Sequence, residues 1–251
     1  MATKIEIKRL NKTFIRNKEN LEVLKDINLT LFENQFVSLL GPSGCGKSTI
    51  LRILAGLEDS FSGNIKVCGK NLSDSSTQFC YMPQKDLLMP WRTVYKNIIL
   101  PLEIDGRLDS TENLRLPKLI KEFGLEGFEN FYPSEISGGM KQRAGLLRTF
   151  LMNSDIMLLD EPFGALDAIT RMNMQEWLLS VLSEHKKSVL FITHDIDEAV
   201  FLSDRVYVLS DRPASITTTL DIEFARPRSR EMLSTHEFLK YKEHLLKALR
   251  L

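Results

Sequence analysis

Nine consecutive residues, Gly41-Pro42-Ser43-Gly44-Cys45-Gly46-Lys47-Ser48-Thr49, combine glycines, a lysine and three hydroxyls at the spacing of an anion-binding turn. Glycines let a backbone approach a phosphate closely and turn successive N–H groups inward. Lys47 supplies a mobile cation for β- and γ-phosphates, and the Ser48 hydroxyl can ligate Mg²⁺. Taken alone, the pattern also arises by chance in Gly-rich turns, and its setting decides the matter. The apolar run Phe36-Val37-Ser38-Leu39-Leu40 precedes it, and the helical pattern Ile50-Leu51-Arg52-Ile53-Leu54-Ala55 follows, closed by Gly56. A helix opening at Ser48 adds unpaired amides and the positive end of its dipole. Strand, turn and helix in that order predict a nucleotide phosphate loop.

Five other places carry candidate chemistry. Asp160, at the end of an apolar run, is the expected carboxylate for Mg²⁺, opposite Ser48. Glu161 follows directly; adjacent acids are often only a solvated pair, but a carboxylate beyond the metal ligand can orient or deprotonate an attacking water. His194 reads either as a satisfied core histidine or, beside Thr193 and Asp195, as a hydrogen-bonding partner of the γ-phosphate or that water. Gln84 is either an ordinary loop glutamine or a sensor of both Mg²⁺ and γ-phosphate, since an amide donates and accepts. Ser137-Gly138-Gly139 is a Ser cap with glycines at a helix start. It is either an ordinary cap or a second anion site, which could complete the first site of another copy with ATP held across a two-fold interface. Phe14 either stacks on a base or belongs to the core.

The elements that must position these residues follow from apolar patterning. Ile156-Met157-Leu158-Leu159 ends at Asp160-Glu161, Val189-Leu190-Phe191-Ile192 ends at Thr193-His194, and Val206-Tyr207-Val208-Leu209 ends at Ser210. Near-continuous apolar strands separated by helices such as Met174 to Leu182 predict a parallel sheet covered on both faces. Ligands of such sheets sit at the carboxyl ends of the strands, where Gly41, Asp160 and His194 all fall. Alternation over Lys4 to Arg9 predicts a strand, Asn11 to Phe14 a turn into a polar stretch, and Val23 to Leu31 a second strand, giving antiparallel structure ahead of the loop. Short strands follow at Gly63 to Lys70 and Gln78 to Met82, the latter stopped by Pro83. Gln84 to Trp91 is a loop flanked by Pro83 and Pro90, yet it carries Leu87, Leu88, Met89 and Trp91, so either the domain's own helices or a partner must cover it. Val94 to about Phe131 reads as helical, interrupted by Pro101, Gly106 and Pro117. Leu116, Leu119, Ile120 and Phe123 share one face, and Pro117 suits a first turn. Met140, Ala144, Leu147 and Leu151 share a face of the helix after Ser137. The tail reads as a strand from Ser215 to Asp221, a solvated basic face at Arg226, Arg228 and Arg230, and a helix near Phe238 to Leu251.

The bulk numbers exclude several classes. The chain has 251 residues, 33 Lys plus Arg against 33 Asp plus Glu, and a formal net charge of zero, which is not the basic footprint of a nucleic-acid binder. No run approaches the ~18 apolar residues of a membrane span. The first residues lack an apolar signal core and the glycine that myristoylation requires. Three scattered cysteines, Cys45, Cys68 and Cys80, form no CxxC pair and fit a reducing cytosol. Action at a membrane therefore requires docking onto something embedded there.

The phosphate loop, Gln84, Ile136-Ser137-Gly138-Gly139-Met140-Lys141-Gln142-Arg143, the Asp160-Glu161 strand end, Ala165-Leu166-Asp167 and His194 resemble, in this order, the motifs of ABC-transporter ATPase subunits. The likeness runs over almost the whole chain. It implies an α/β fold, namely a P-loop NTPase core with a mainly parallel sheet, an antiparallel β subdomain and a helical subdomain. One domain over 1–251 then divides into the core at 1–90 and 155–225, the helical part at 91–154 and a tail at 226–251. The resemblance further implies ATP and Mg²⁺ as cofactors and a head-to-tail homodimer on ATP binding. Phe14 matches the base-stacking aromatic, Gly41 to Thr49 with Gln84 and Ser137 to Gly139 the nucleotide contacts, Ser48, Gln84 and Asp160 the metal site, and Glu161, His194 and Lys47 the catalytic set. It implies peripheral attachment at the cytoplasmic face of the cell membrane, with a permease subunit contacted through Gln84 to Trp91 and an extracytoplasmic solute-binding protein indirectly. Leu87 to Trp91 with Thr93-Val94 and Asn97, and Glu161 to Asp167, are similar to importers of the nitrate, sulfonate and taurine group, whose relatives also import pyrimidine precursors of thiamine. The departures are mild: Ile136 for Leu, Lys141 for Arg or Gln, and Gly145 for Ala, which should cost the helix ~1 kcal/mol. A soluble ABC protein of repair or translation is the rival, and it typically carries tandem or coiled-coil-inserted architecture that this chain lacks. A non-hydrolysing module conflicts with the complete set Lys47, Asp160, Glu161 and His194.

Overall fold

A computed structural model describes residues 2–16, 19–75, 79–85 and 87–249. Gln78, Asp86, Arg250 and Leu251, which the expected strand, loop and tail helix include, lie outside the described residues. The chain begins with β1 (Thr3–Arg16) and β2 (Glu19–Phe32), paired antiparallel, and then enters β3 (Phe36–Leu40), α1 (Lys47–Leu54), β4 (Ser62–Val67) and β5 (Lys70–Asn71). β6 (Cys80–Met82) leads to four helices: α2 (Val94–Ile98), α3 (Leu100–Ile104), α4 (Ser110–Glu122) and α5 (Gly138–Phe150). β7 (Ile156–Asp160), α6 (Ala168–His185), β8 (Ser188–Thr193), α7 (Ile196–Leu202), β9 (Arg205–Leu209), β10 (Ile216–Asp221) and α8 (His236–Ala248) complete the chain.

Two sheets result. One is antiparallel in the order β2-β1-β4-β5; the other runs β10-β9-β3-β8-β7-β6, parallel except for the antiparallel edge strand β10. The period-2 alternation of strands assigns the parallel sheet to two cores. Val37, Leu39, Ile156, Leu158, Leu190 and Ile192 pack toward α1 and the antiparallel sheet. Phe36, Leu40, Met157, Leu159, Val189 and Phe191 pack with the helices of the other side. β3, β7 and β8 are buried at every residue, which accounts for their near-continuous apolar sequence.

Three local expectations are corrected. β1 does not turn at Asn11 to Phe14 but continues to Arg16 through register shifts between Ile7 and Thr13. Amides there replace ladder bonds: Asn28 Oδ1 accepts from Arg9 N and Asn11 Oδ1 from Asp26 N, both at 2.9 Å, while Arg9 and Asp26 adopt positive φ. Pro117 lies inside α4 rather than in its first turn, and forgoes one helix bond while Leu116, Leu119, Ile120 and Phe123 bury the face expected of them. The tail arginines are no solvated face. The Arg228 side chain is fully buried, its Nη1 donating to the carbonyls of Val200, Phe201 and Ser203 at the end of α7, and Arg226 pairs with Asp204 at 2.7 Å. Exposed spacing cannot distinguish a solvated arginine from one capping a helix end.

Candidate active site

The phosphate loop bridges β3 and α1. A Cβ at Gly46, where φ is +131°, would lie 2.8 Å from Leu24 and 2.9 Å from Val23, so only glycine fits. α1 opens at Lys47, one residue before the expected Ser48, and Gly46 provides no side-chain cap to its first amides. Lys47 Nζ is less mobile than its motif suggests. It is buried and donates to Gly41 O at 2.7 Å and Pro42 O at 2.8 Å, since a buried ammonium must find acceptors.

Asp160 closes β7 with 3% of its surface exposed. Burial pushes its carboxyl up, and the hydrogen bond from Ser48 and the charge of Lys47 oppose that shift. Its Oδ1 is buried without a hydrogen-bond partner. A carboxylate oxygen left unsatisfied beside a hydroxyl is a hard-oxygen donor set that fits Mg²⁺, directly or through water.

Glu161 begins the turn after β7 in the left-handed region, with φ +49°, a strained conformation for a residue with a Cβ. Backbone contacts hold it there. Its N–H donates to Ile192 O at 3.1 Å, and its carbonyl accepts from Gly164 N at 3.2 Å and Gln142 Nε2 at 3.1 Å. Its carboxylate then lies between two side chains: Gln84 Nε2 donates to Oε2 at 3.1 Å, and His194 Nδ1 stands 3.4 Å from Oε1. β6, β7 and β8 are successive neighbours in the sheet, so their carboxyl ends deliver Gln84, Glu161 and His194 to one edge. Gln142 was not expected. Buried on α5, it also accepts from Ala165 N at 2.7 Å, clamping both ends of the turn; the only signal in sequence was its place in the motif that follows Ser137.

Other expected residues stand apart from this cluster. Phe14 packs on β1 against the apolar group that includes Val23, Leu24 and the loop's Cys45, with Lys12 Nζ 4.6 Å from its ring centroid. Ser137 caps α5 by accepting from Met140 N at 3.2 Å. Among the described residues no hydrogen bond or ion pair joins Ser137, Gly138 or Gly139 to the phosphate loop of the same chain. The segment after Gln84 is split: Leu88 is buried, Asn97 holds both backbone groups of Met89, and Leu87 and Trp91 are 63% and 74% exposed.

The comparisons with known proteins bear on this arrangement. The ABC transporter family model matches residues 24–164. An uncharacterised ABC transporter ATP-binding protein of Methanocaldococcus jannaschii is 43% identical over all of this chain and 92% of its own length. The chain belongs to the ABC transporter family. The cassette is also 39% identical to the aliphatic sulfonates import ATP-binding protein SsuB of Bacillus cereus, over 94% of this chain and 93% of that one. It is 39% identical to the formylaminopyrimidine import ATP-binding protein ThiZ of Halalkalibacterium halodurans, over 90% and 87%. Among solved structures, the dimeric cassette MJ0796 superposes with a TM-score of 0.79 at 30% identity, over 88% of this chain and 100% of that one. The α/β fold expected from sequence is thus the fold of an ABC cassette. Among the described residues no helix is long and apolar enough to cross a membrane.

Proposed function

We propose that the strand-end cluster is the hydrolytic centre of an importer's ATPase subunit, working as a nucleotide-bridged homodimer at the cytoplasmic face of the cell membrane. The observation that carries this is the Glu161 carboxylate held between Gln84 and His194, on the sheet edge that also bears the phosphate loop and Asp160. The chain is an ABC-transporter ATPase. One solved cassette is titled as a post-hydrolysis state bound to ADP and Pi, and it is 29% identical to this chain.

Glu161 accepts the proton of a water as its oxygen attacks the γ-phosphorus of ATP, and the bond to the ADP oxygen breaks. Gln84 and His194 fix the carboxylate, and His194 steadies the γ-phosphate. Lys47 leaves the carbonyls of Gly41 and Pro42 for the β- and γ-oxygens. Ser48, Asp160 and Gln84 would hold Mg²⁺, whose charge neutralises the β- and γ-phosphates when bound. Phe14 stacks on the base, and Ser137, Gly138 and Gly139 meet the phosphates bound by the partner copy. That second role needs no bond to the loop of their own chain, and none joins them among the described residues. The core at 1–90 and 155–225, the helical part at 91–154 and the tail at 226–251 form one cassette.

The permease subunit docks on the Gln84 to Trp91 segment. A neighbouring groove of about 660 Å³ supports this, lined by Leu57, Tyr81, Leu100, Ile104 and Met152 among others. Arg148 joins the two surfaces, lining the groove and donating to Leu87 O at 3.0 Å. The cargo is a small solute of the nitrate, sulfonate or taurine kind, as the SsuB relative supports, selected by a separate solute-binding protein. A pyrimidine precursor of thiamine is the second reading, favoured by the likeness to ThiZ. Affinity purification from detergent-solubilised native membranes tests the assignment. A stoichiometric multi-span partner is expected, and recovery of soluble partners alone contradicts it.

A further inference from the structure

Behind His194, an unbroken line of donors and acceptors runs to the C-terminal tail. Thr193 Oγ1 donates to Glu198 Oε2 at 2.6 Å and accepts from Asp195 N at 3.0 Å, so one hydroxyl holds the backbone on both sides of His194. The other oxygen of Glu198 accepts from Gln175 Nε2 at 3.0 Å, and Gln175 Oε1 accepts from Arg230 Nη2 at 3.1 Å. Thr193, Glu198 and Gln175 are all buried. Burial pushes the Glu198 carboxyl up, and Arg171, 4.0 Å away, offsets part of its charge.

The position of Arg230 has a specific consequence. The Gln175 amide satisfies Glu198 only with its nitrogen turned toward the carboxylate; turned over, it would set oxygen against oxygen. Arg230 has donors and no acceptor, so it selects the productive orientation by claiming the amide oxygen. The tail anchors Arg230 firmly for this task. It also donates to Met172 O at 2.6 Å and to Glu176 Oε1 at 2.9 Å, and its guanidinium lies 5.0 Å from the Phe201 ring centroid. The near end of the line shares a cavity of about 40 Å³ with Glu161 and His194. Arg230 touches none of the reacting groups and sits in a short 3₁₀ turn, Arg230–Ser234, ahead of α8.

We propose that Arg230 is a positioning residue for ATP hydrolysis, acting through Gln175, Glu198 and Thr193 on His194. Seating of the C-terminal tail thereby sets the rate of cleavage. The inference rests on the reading of His194 as a ligand of the γ-phosphate or attacking water.

Steady-state MgATP hydrolysis by the full chain tests it. Arg230→Ala and Gln175→Ala each lower kcat about 5- to 10-fold, the scale at which such networks couple sites, with KM for ATP unchanged. The double variant is no slower than the slower single one, and Arg230→Lys recovers part of the loss because it can still donate to Gln175. Arg226→Ala, which removes a different tail contact, keeps the wild-type kcat. His194→Ala, measured alongside, separates the two readings. If it is inactive while Arg230→Ala turns over normally, the relay is overturned and the site reading stands; if it turns over at the wild-type rate, both are overturned. Losses that multiply in the double variant, or an equal loss in Arg226→Ala, reduce the tail to a stabilising element and overturn the relay.

Discussion

Replacing Gln142 by methionine, which is close to it in shape, removes the clamp on the Glu161 turn and nothing else in the site. The bonds to Glu161 O at 3.1 Å and from Ala165 N at 2.7 Å are lost. At a net ~1 kcal/mol for each hydrogen bond, the turn loses ~2 kcal/mol. That matches the ~1–3 kcal/mol that a residue with a Cβ pays for a left-handed backbone such as Glu161 adopts. Glu161 O keeps its bond from Gly164 N, so the turn loosens rather than collapses. With 1.4 kcal/mol per factor of ten, kcat for ATP should fall roughly 10- to 30-fold. ATP affinity should not change, because the phosphate loop is untouched. Coupled-enzyme ATPase rates, nucleotide titration and urea unfolding read the three quantities separately. Normal kcat despite a loss of ~2 kcal/mol in stability would refute the reasoning, since the clamp would then be structural alone. Parallel loss of ATP affinity would refute it too.

Lys47→Ala should abolish nucleotide binding in a fluorescent-nucleotide titration, and unchanged affinity would count against the loop assignment. Arg228→Met should lower the unfolding free energy by ~2–4 kcal/mol in urea, because it strands the carbonyls of Val200, Phe201 and Ser203 and leaves Asp204 with Arg226 as its one arginine partner. Asp160→Asn should raise stability at neutral pH while abolishing Mg²⁺-dependent turnover. Its carboxyl is pushed up in the folded state, so the native protein binds the proton more tightly than the unfolded chain. That contribution to stability is complete below the ordinary carboxylate value and is lost as pH rises through the folded one. The advantage of Asp160→Asn should therefore shrink as the pH of the denaturation series is lowered into the carboxylate range, and a pH-independent difference would contradict the shift.

Residues whose placement depends on local backbone were legible in the sequence. The phosphate loop announces itself through flanking strand and helix, and Asp160 and His194 through the abrupt end of apolar runs buried on both faces. Ser137 announced the start of α5 because capping is a property of a few adjacent residues. What escaped depends on contacts between segments distant in sequence. Nothing near Gln142 says that its amide spans the turn from Glu161 to Ala165, nor that Glu161 takes a left-handed backbone to meet Gln84 and His194. Asn11 reads as a turn residue and Asn28 as an ordinary strand position, yet their amides patch a bulged ladder and let β1 continue. Arg228 has the spacing of a surface residue and ends up fully buried, because the unsatisfied carbonyls at the end of α7 need a donor.

The most direct test of the hydrolytic centre is Glu161→Gln incubated with MgATP, with bound nucleotide, phosphate release and molecular mass followed together by light scattering. The amide keeps the shape of the side chain but cannot take a proton from water. The site described here predicts wild-type ATP binding, no phosphate release, and a dimer that accumulates only with ATP. Phosphate released at the wild-type rate would remove Glu161 from the mechanism and contradict the account.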